Sequence, residues 1–251
     1  MTHAGKGINL DSLLQYCYKI GTMRPQELKA ARLNNGWNQA KASARLGVSQ
    51  PYLNMLENGN RRLTPKLARK FTLAYDLSPE MLPVSREFVP VSVNDQYLVE
   101  SLSRLEYPGF AYLRTRALKK NPSEVLLMAL AQERLEARVA EALPWLALKY
   151  WQTGSTWLVE QSRKLNLQNR LGFVVSLARQ VSERSPQPDR TNVLRDLEAK
   201  LDESRLAKED AFYRPPRTES EREWFLQNRS EEARRWNLLT DLQPAHLQYG
   251  S

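Results

Sequence analysis

Between Asn38 and Arg62 the sequence carries amide, hydroxyl and basic side chains at spacings that suit contact with a nucleic acid. Gln50 and Asn54 stand four residues apart, about one helical turn, while Leu53 and Leu56 in the same segment fall on the opposite, apolar side. Glutamine and asparagine are the side chains that pair bidentately with an adenine edge in the major groove. Pro51 and Met55 are apolar and suit a thymine methyl, and Tyr52 suits either a base contact or packing beside the helix. Gln50, Pro51, Tyr52, Asn54 and Met55 are therefore the candidate base-contacting residues. Gln39, Ser49, Asn58, Asn60, Arg61 and Arg62 are the candidate phosphate partners, because amides, hydroxyls, guanidinium groups and helix N-termini all offer donors to phosphate oxygen. Arg69 and Lys70 read as a solvated helix face.

The elements that must position these residues are short helices. Proline in a first helical turn forfeits little, because the amide it lacks has no helical partner there. Arg24-Pro25 therefore starts a first helix that ends before Gly36. A second runs from Asn38 to Leu46, with Gly47 able to take a positive φ at its end. Ser49 is an N-cap for a third helix over Gln50–Glu57, Thr64-Pro65 opens a fourth through Tyr75, and Ser78-Pro79 opens a short fifth. Ala42, Leu46, Val48, Leu53 and Leu56 are placed to face a small core, so the second and third helices form a helix-turn-helix joined at Leu46-Gly47-Val48-Ser49.

Charge follows the same division. The 251 residues carry a formal +9, and residues 24–83 hold ten basic against four acidic side chains, so this sixty-residue block contributes +6 of that excess. Residues 186–251 hold eleven basic and thirteen acidic side chains. A basic block coinciding with the motif favours a polyanion, and an acidic tail favours protein contact or solvation. One cysteine, Cys17, can form no internal disulfide, and two histidines, His3 and His246, stand at opposite ends, so neither a metal site nor histidine-dependent catalysis is expected. No phosphate-binding glycine loop or paired carboxylate constellation stands out. The chain is expected to be a non-enzyme with no cofactor. No apolar run nears the length of a membrane span, and no secretory signal is evident, so a cytoplasmic, nucleoid-associated protein is expected.

The motif resembles the Cro/repressor (XRE) class of phage-repressor helix-turn-helix domains. The matching residues are Gly36-Trp37-Asn38-Gln39, then Ala44-Arg45-Leu46-Gly47-Val48-Ser49-Gln50, then Leu56-Glu57-Asn58-Gly59-Asn60-Arg61-Arg62, closed by Leu82. The resemblance covers about residues 24–83. It implies a five-helix lambda-repressor-like domain. The counterparts of Gln50, Pro51 and Met55 would touch bases, and those of Gln39, Asn58 and the basic loop would touch phosphate. It also implies a homodimer on a pseudo-palindromic, double-stranded operator, with half-sites about one turn, ~10 bp, apart. Pro51 and Met55 depart from the polar residues usual there, which leaves the operator sequence open.

Residues 94–251, after a linker at 84–93 and with 1–23 as an N-terminal extension, read as a helical dimerisation or partner-binding domain. The fold class is all-α. Asn121-Pro122-Ser123-Glu124 is expected to cap a long helix carrying Met128, Ala131, Leu135, Val139 and Ala142, interrupted by Pro144. Helices fit Thr156–Leu165 and Leu167–Glu183, and Leu194, Leu197 and Leu201 mark another. The tryptophans read as core. Asn166 and Gln168 to Arg170, polar among apolar residues, suit either helix caps or a contact surface, and Arg235–Leu242 suits burial on a neighbouring helix or a partner chain. The helical second half with Leu-Gln-Asn-Arg-Leu-Gly-Phe resembles antitoxin-type regulators encoded beside nucleotidyltransferase-like toxins. That resemblance implies an operon autorepressor that also holds a cognate toxin protein. The alternative is an interaction protein that mainly sequesters the toxin, with DNA binding secondary. A third reading, a small-molecule sensor, requires a pocket among the Trp-rich helices.

Overall fold

A computed structural model describes residues 23–152, 155–184 and 187–244, and the chain divides into two units between Arg86 and Glu87. The helix expected over Leu13–Ile20, together with Cys17, His3 and His246, lies outside the described residues, as do Ser185 and Pro186.

The first unit holds α1 (Pro25–Asn34), α2 (Gln39–Leu46), α3 (Gln50–Glu57) and α4 (Pro65–Ala74). Side-chain caps fix where three of them begin. Asn38 accepts from the Lys41 amide at 2.8 Å, Ser49 from the Tyr52 amide at 3.3 Å, and Thr64 from the Leu67 amide at 3.3 Å. Gly47, at φ 63°, closes α2 in the left-handed conformation, and this sets the turn into α3. Leu28, Ala42, Leu46, Leu53, Leu56 and Phe71 are all but fully buried and interlock the four helices. A fully buried leucine contributes about 1.5–3 kcal/mol, so this small core holds α3 rigidly against α2. Trp37 and Tyr75 meet edge to face at 5.2 Å, with the Arg45 guanidinium 4.2 Å over the indole. The fifth helix expected after Ser78 is a single 3-10 turn, Pro79–Met81.

The second unit is built from α5 (Asp95–Arg104), α6 (Pro122–Leu130), α7 (Ala137–Lys149), α8 (Ser155–Lys164), α9 (Gln168–Glu183), α10 (Pro188–Asp202), α11 (Glu219–Asn228) and α12 (Glu231–Arg235). Two short parallel strands, Asp210–Ala211 and Leu238–Leu239, add a minimal pairing to an otherwise helical unit. α9 is the central element, with residues 171–178 all buried, and α7, α8, α10 and α12 pack around it. Gly172 is required there. A Cβ at that position would lie 2.3 Å from the ring of Trp236, itself fully buried.

Two expectations for this unit are corrected. The long helix from Asn121 is two helices, because the chain leaves helical geometry after Leu130. The Arg170 guanidinium takes the carbonyls of Leu130 and Gln132 at 2.9 and 3.0 Å, and the Leu135 amide donates to the Tyr213 carbonyl. Pro144 does not interrupt α7 but lies buried within it, and the burial of the helix as a whole, Leu143, Leu146 and Ala147 included, outweighs the lost helical hydrogen bond. The open alternatives also resolve. Trp236, Leu238, Leu239 and Leu242 are buried within this chain. Gln168 donates to the Ser204 carbonyl, Asn169 exchanges bonds with both backbone groups of Leu206, and Arg170 forms a two-bond pair with Asp210 at 2.7 and 2.8 Å. These three residues are internal pins for two loops rather than a contact surface. The cavity beside Tyr150, Trp151 and Leu158 has a volume of about 20 Å³, room for roughly one water.

Candidate nucleic-acid interface

The surface of interest is the outward side of α3 and the loop that follows it. Ser49, Gln50 and Pro51 are the N-cap and first two residues of α3, all exposed, so the row begins at a helix N-terminus with its partial positive charge. The Ser49 hydroxyl accepts the Tyr52 amide, which leaves its own O–H free to donate. Asn54 is exposed one turn further along. Met55 is half-buried, and Tyr52 is half-buried against the core, so the packing alternative for Tyr52 holds for much of its ring. Asn58, Asn60, Arg61 and Arg62 are exposed on the loop after α3. Gly59 at φ +77° and a bond from the Asn60 amide to the Met55 carbonyl at 2.8 Å shape that loop.

Beneath this surface lies a charged pair that sequence reasoning did not single out. Arg32 on α1 and Glu57 at the end of α3 are buried, with side-chain exposures of 7% and 1%. The guanidinium donates to both carboxylate oxygens at 2.6 and 3.0 Å and to the Trp37 carbonyl at 2.8 Å. Burial alone would raise the Glu57 carboxyl. Donation from Arg32 and Gln39, with the charges of Arg32 and Lys29, holds it below the usual carboxylate value instead. The Glu57 bond in turn raises the Arg32 guanidinium above its ordinary value. Both partners are therefore charged, and α1 is tied to the C-terminal end of α3. The signal available in the sequence was Arg32 one turn after Leu28 on the face that α1 buries. Nothing in the spacing assigned it a partner 25 residues away.

From Glu57 a hydrogen-bond chain runs to the surface. The Gln39 amide nitrogen donates to Glu57 Oε2 at 3.0 Å and to Asn54 Oδ1 at 3.2 Å, and Asn58 Nδ2 donates to the same Asn54 oxygen at 3.1 Å. Gln39, Asn54 and Asn58 are thus brought together. Both Gln39 amide hydrogens are directed at side chains of α3, so Gln39 braces that helix. Gln50 makes no side-chain hydrogen bond among the described residues. Lys70 turns to the Leu46 carbonyl at 3.4 Å, at the C-terminal end of α2. Among the described residues no group of His, Cys, Asp and Glu is arranged to hold a metal, and no helix is long and apolar enough to cross a membrane.

Residues 28–82 match the helix-turn-helix family model, a span that includes Arg32, Gln39, Asn54, Glu57 and Asn58. No curated protein and no solved structure gives a match. The first unit is a DNA-binding helix-turn-helix domain of the Cro/repressor type, with α2 and α3 as its two motif helices.

Proposed function

We propose that this chain, a DNA-binding regulator of the Cro/repressor helix-turn-helix type, reads an operator through α3 and represses its own operon as a homodimer. The observation that carries the reading is the exposed row Gln50, Pro51 and Asn54 on a helix held rigid from below, flanked by the exposed loop Asn60-Arg61-Arg62. In the major groove Gln50 presents an unpaired carboxamide to a base edge, and Pro51 and Met55 offer apolar contact to a thymine methyl. Ser49, Asn58, Asn60, Arg61 and Arg62 take phosphates and fix the register, while Tyr52 adds its exposed edge. The second unit supplies dimerisation, and a pseudo-palindromic site would place two copies of α3 about one turn apart.

Fluorescence anisotropy on the DNA just upstream of the gene, against scrambled DNA at two salt concentrations, tests this. Tight, selective binding that weakens steeply with salt supports it. Equal weak binding to both DNAs overturns it and favours a chain whose main partner is a protein. Residues 94–251 would then be tested for capture and neutralisation of the adjacent gene product, the toxin-sequestering alternative.

A further inference from the structure

We propose that Asn54 meets DNA as a hydrogen-bond donor only, its carboxamide locked by Glu57 through Gln39, so that Gln50 and Asn54 perform different tasks on the operator. This rests on the operator-reading proposal and sharpens it.

The argument is one of donor and acceptor identity. An ionised carboxylate only accepts, so the Gln39 atom 3.0 Å from Glu57 Oε2 has to be the amide nitrogen. The same nitrogen lies 3.2 Å from Asn54, so the Asn54 atom facing it has to be the carbonyl oxygen. Asn58 directs a second N–H at that oxygen from 3.1 Å. Turning the Asn54 amide over would set its NH₂ against the Gln39 donor, which the Glu57 carboxylate holds in place, and break that bond. The Asn54 oxygen is therefore engaged inside the protein, and its NH₂ group, on an exposed side chain, has no partner among the described residues. Glu57 can impose this order because the buried Arg32 guanidinium holds it ionised and fixed in place.

Adenine is read bidentately by one donor and one acceptor, and Asn54 has only the donor to offer. Its partner is a lone acceptor on the DNA, either a base atom such as a purine N7 or a phosphate oxygen. Adenine and guanine both present N7, so Asn54 does not separate them. Gln50, with neither amide atom engaged, retains the bidentate capacity.

The test begins with selection of a preferred site from a random duplex pool, using the full chain. Wild-type, Asn54→Ala, Asn54→Asp and Gln39→Leu proteins are then titrated on that duplex. It carries, one position at a time, an A-to-G exchange, a base analogue lacking a single acceptor, or a methylphosphonate. Asn54→Ala is expected to weaken binding about threefold to tenfold, the worth of one hydrogen bond. One acceptor deletion should give the same loss and add nothing to the variant. A base analogue with that behaviour identifies a base acceptor, and a methylphosphonate identifies a phosphate. Asn54→Asp keeps the inward oxygen, and so the fold, but should bind more weakly than Asn54→Ala. At a base contact the wild type should tolerate the A-to-G exchange within about threefold. Gln39→Leu, which releases the amide, should then favour adenine there by about tenfold or more.

Tenfold or greater discrimination of adenine from guanine by the wild type that is lost in Asn54→Ala overturns the proposal. So does an Asn54→Ala protein that binds within twofold of wild type. If no sequence is enriched from the pool, the operator-reading proposal itself fails, a result distinct from a selected site that ignores Asn54.

Discussion

Both units are organised by arginine–carboxylate pairs and amides, but the two polar systems end in different places. In the second unit Arg179 and Arg235 converge on the buried Glu198, Arg170 takes Asp210 and two carbonyls, and Gln168 and Asn169 hold backbone groups at 204–206. Every bond in that set stays within the unit: Glu198 joins α10 to α9 and α12, and the others fix the backbone at 130–132 and 204–210. In the first unit the set Arg32, Glu57, Gln39, Asn54 starts in the core and stops at an exposed side chain. An ion pair whose bonds close on themselves specifies a fold. One whose last bond reaches the surface also specifies which hydrogen-bonding atom a ligand meets there.

The largest expected effect tests whether the open-ended set is also structural. Arg32→Ala strands a charged carboxylate in the core, and the first unit should lose about 3–5 kcal/mol, read as hydrogen exchange of α1 and α3. The double variant Arg32→Met with Glu57→Met should regain most of that stability while releasing Gln39, and so separates fold from amide orientation. In the second unit the corresponding break is steric. Gly172→Ala drives a methyl into the Trp236 ring, and overpacking of this kind costs about 1–3 kcal/mol or more, visible as faster exchange across α9 and α12. A Gly172→Ala protein as stable as wild type would show that α12 and Trp236 shift freely, and would remove the contrast.

Acidification should loosen the first unit next. The Glu57 carboxyl is held below its unfolded value, so its contribution is complete above about pH 4.5 and is lost as the pH falls further. The protection of α3 should therefore decline in acid, and in Glu57→Gln that component of the decline should vanish.

Much of the first unit was legible because its determinants are local. Asn38, Ser49 and Thr64 cap helices that begin beside them, Gly47 turns the chain, and Leu46, Leu53 and Leu56 repeat at helical spacing. The candidate surface was legible for the same reason, since the exposure of Gln50 and Asn54 follows from the burial of Leu53 and Leu56. The state of those amides was not legible. Whether Asn54 offers its oxygen or its nitrogen depends on Glu57, and Glu57 depends on Arg32 25 residues earlier. The break after Leu130 escaped for the same reason, because the residue that draws out its carbonyl is Arg170, 40 positions away. Pro144 misled because a local rule against proline in helices was outweighed by burial in a core that local sequence does not display.

The smallest expected effects distinguish reading from anchoring on the proposed surface. Gln50 carries the unpaired amide, so Gln50→Ala should erase about 1–3 kcal/mol of discrimination at one base pair and leave binding to random DNA nearly unchanged. Arg61 is exposed on the loop after α3, where the proposed contact is to phosphate rather than to a base edge. Arg61→Ala should weaken operator and random DNA by the same factor and reduce the slope of log affinity against log salt by about one. Anisotropy titrations of both variants on both DNAs, at three salt concentrations, measure the two behaviours together. An Arg61→Ala protein that loses affinity for the operator alone would move Arg61 from anchoring to reading. The boundary between the two roles would then fall beyond the end of α3, in the loop shaped by Gly59, rather than along the helix itself.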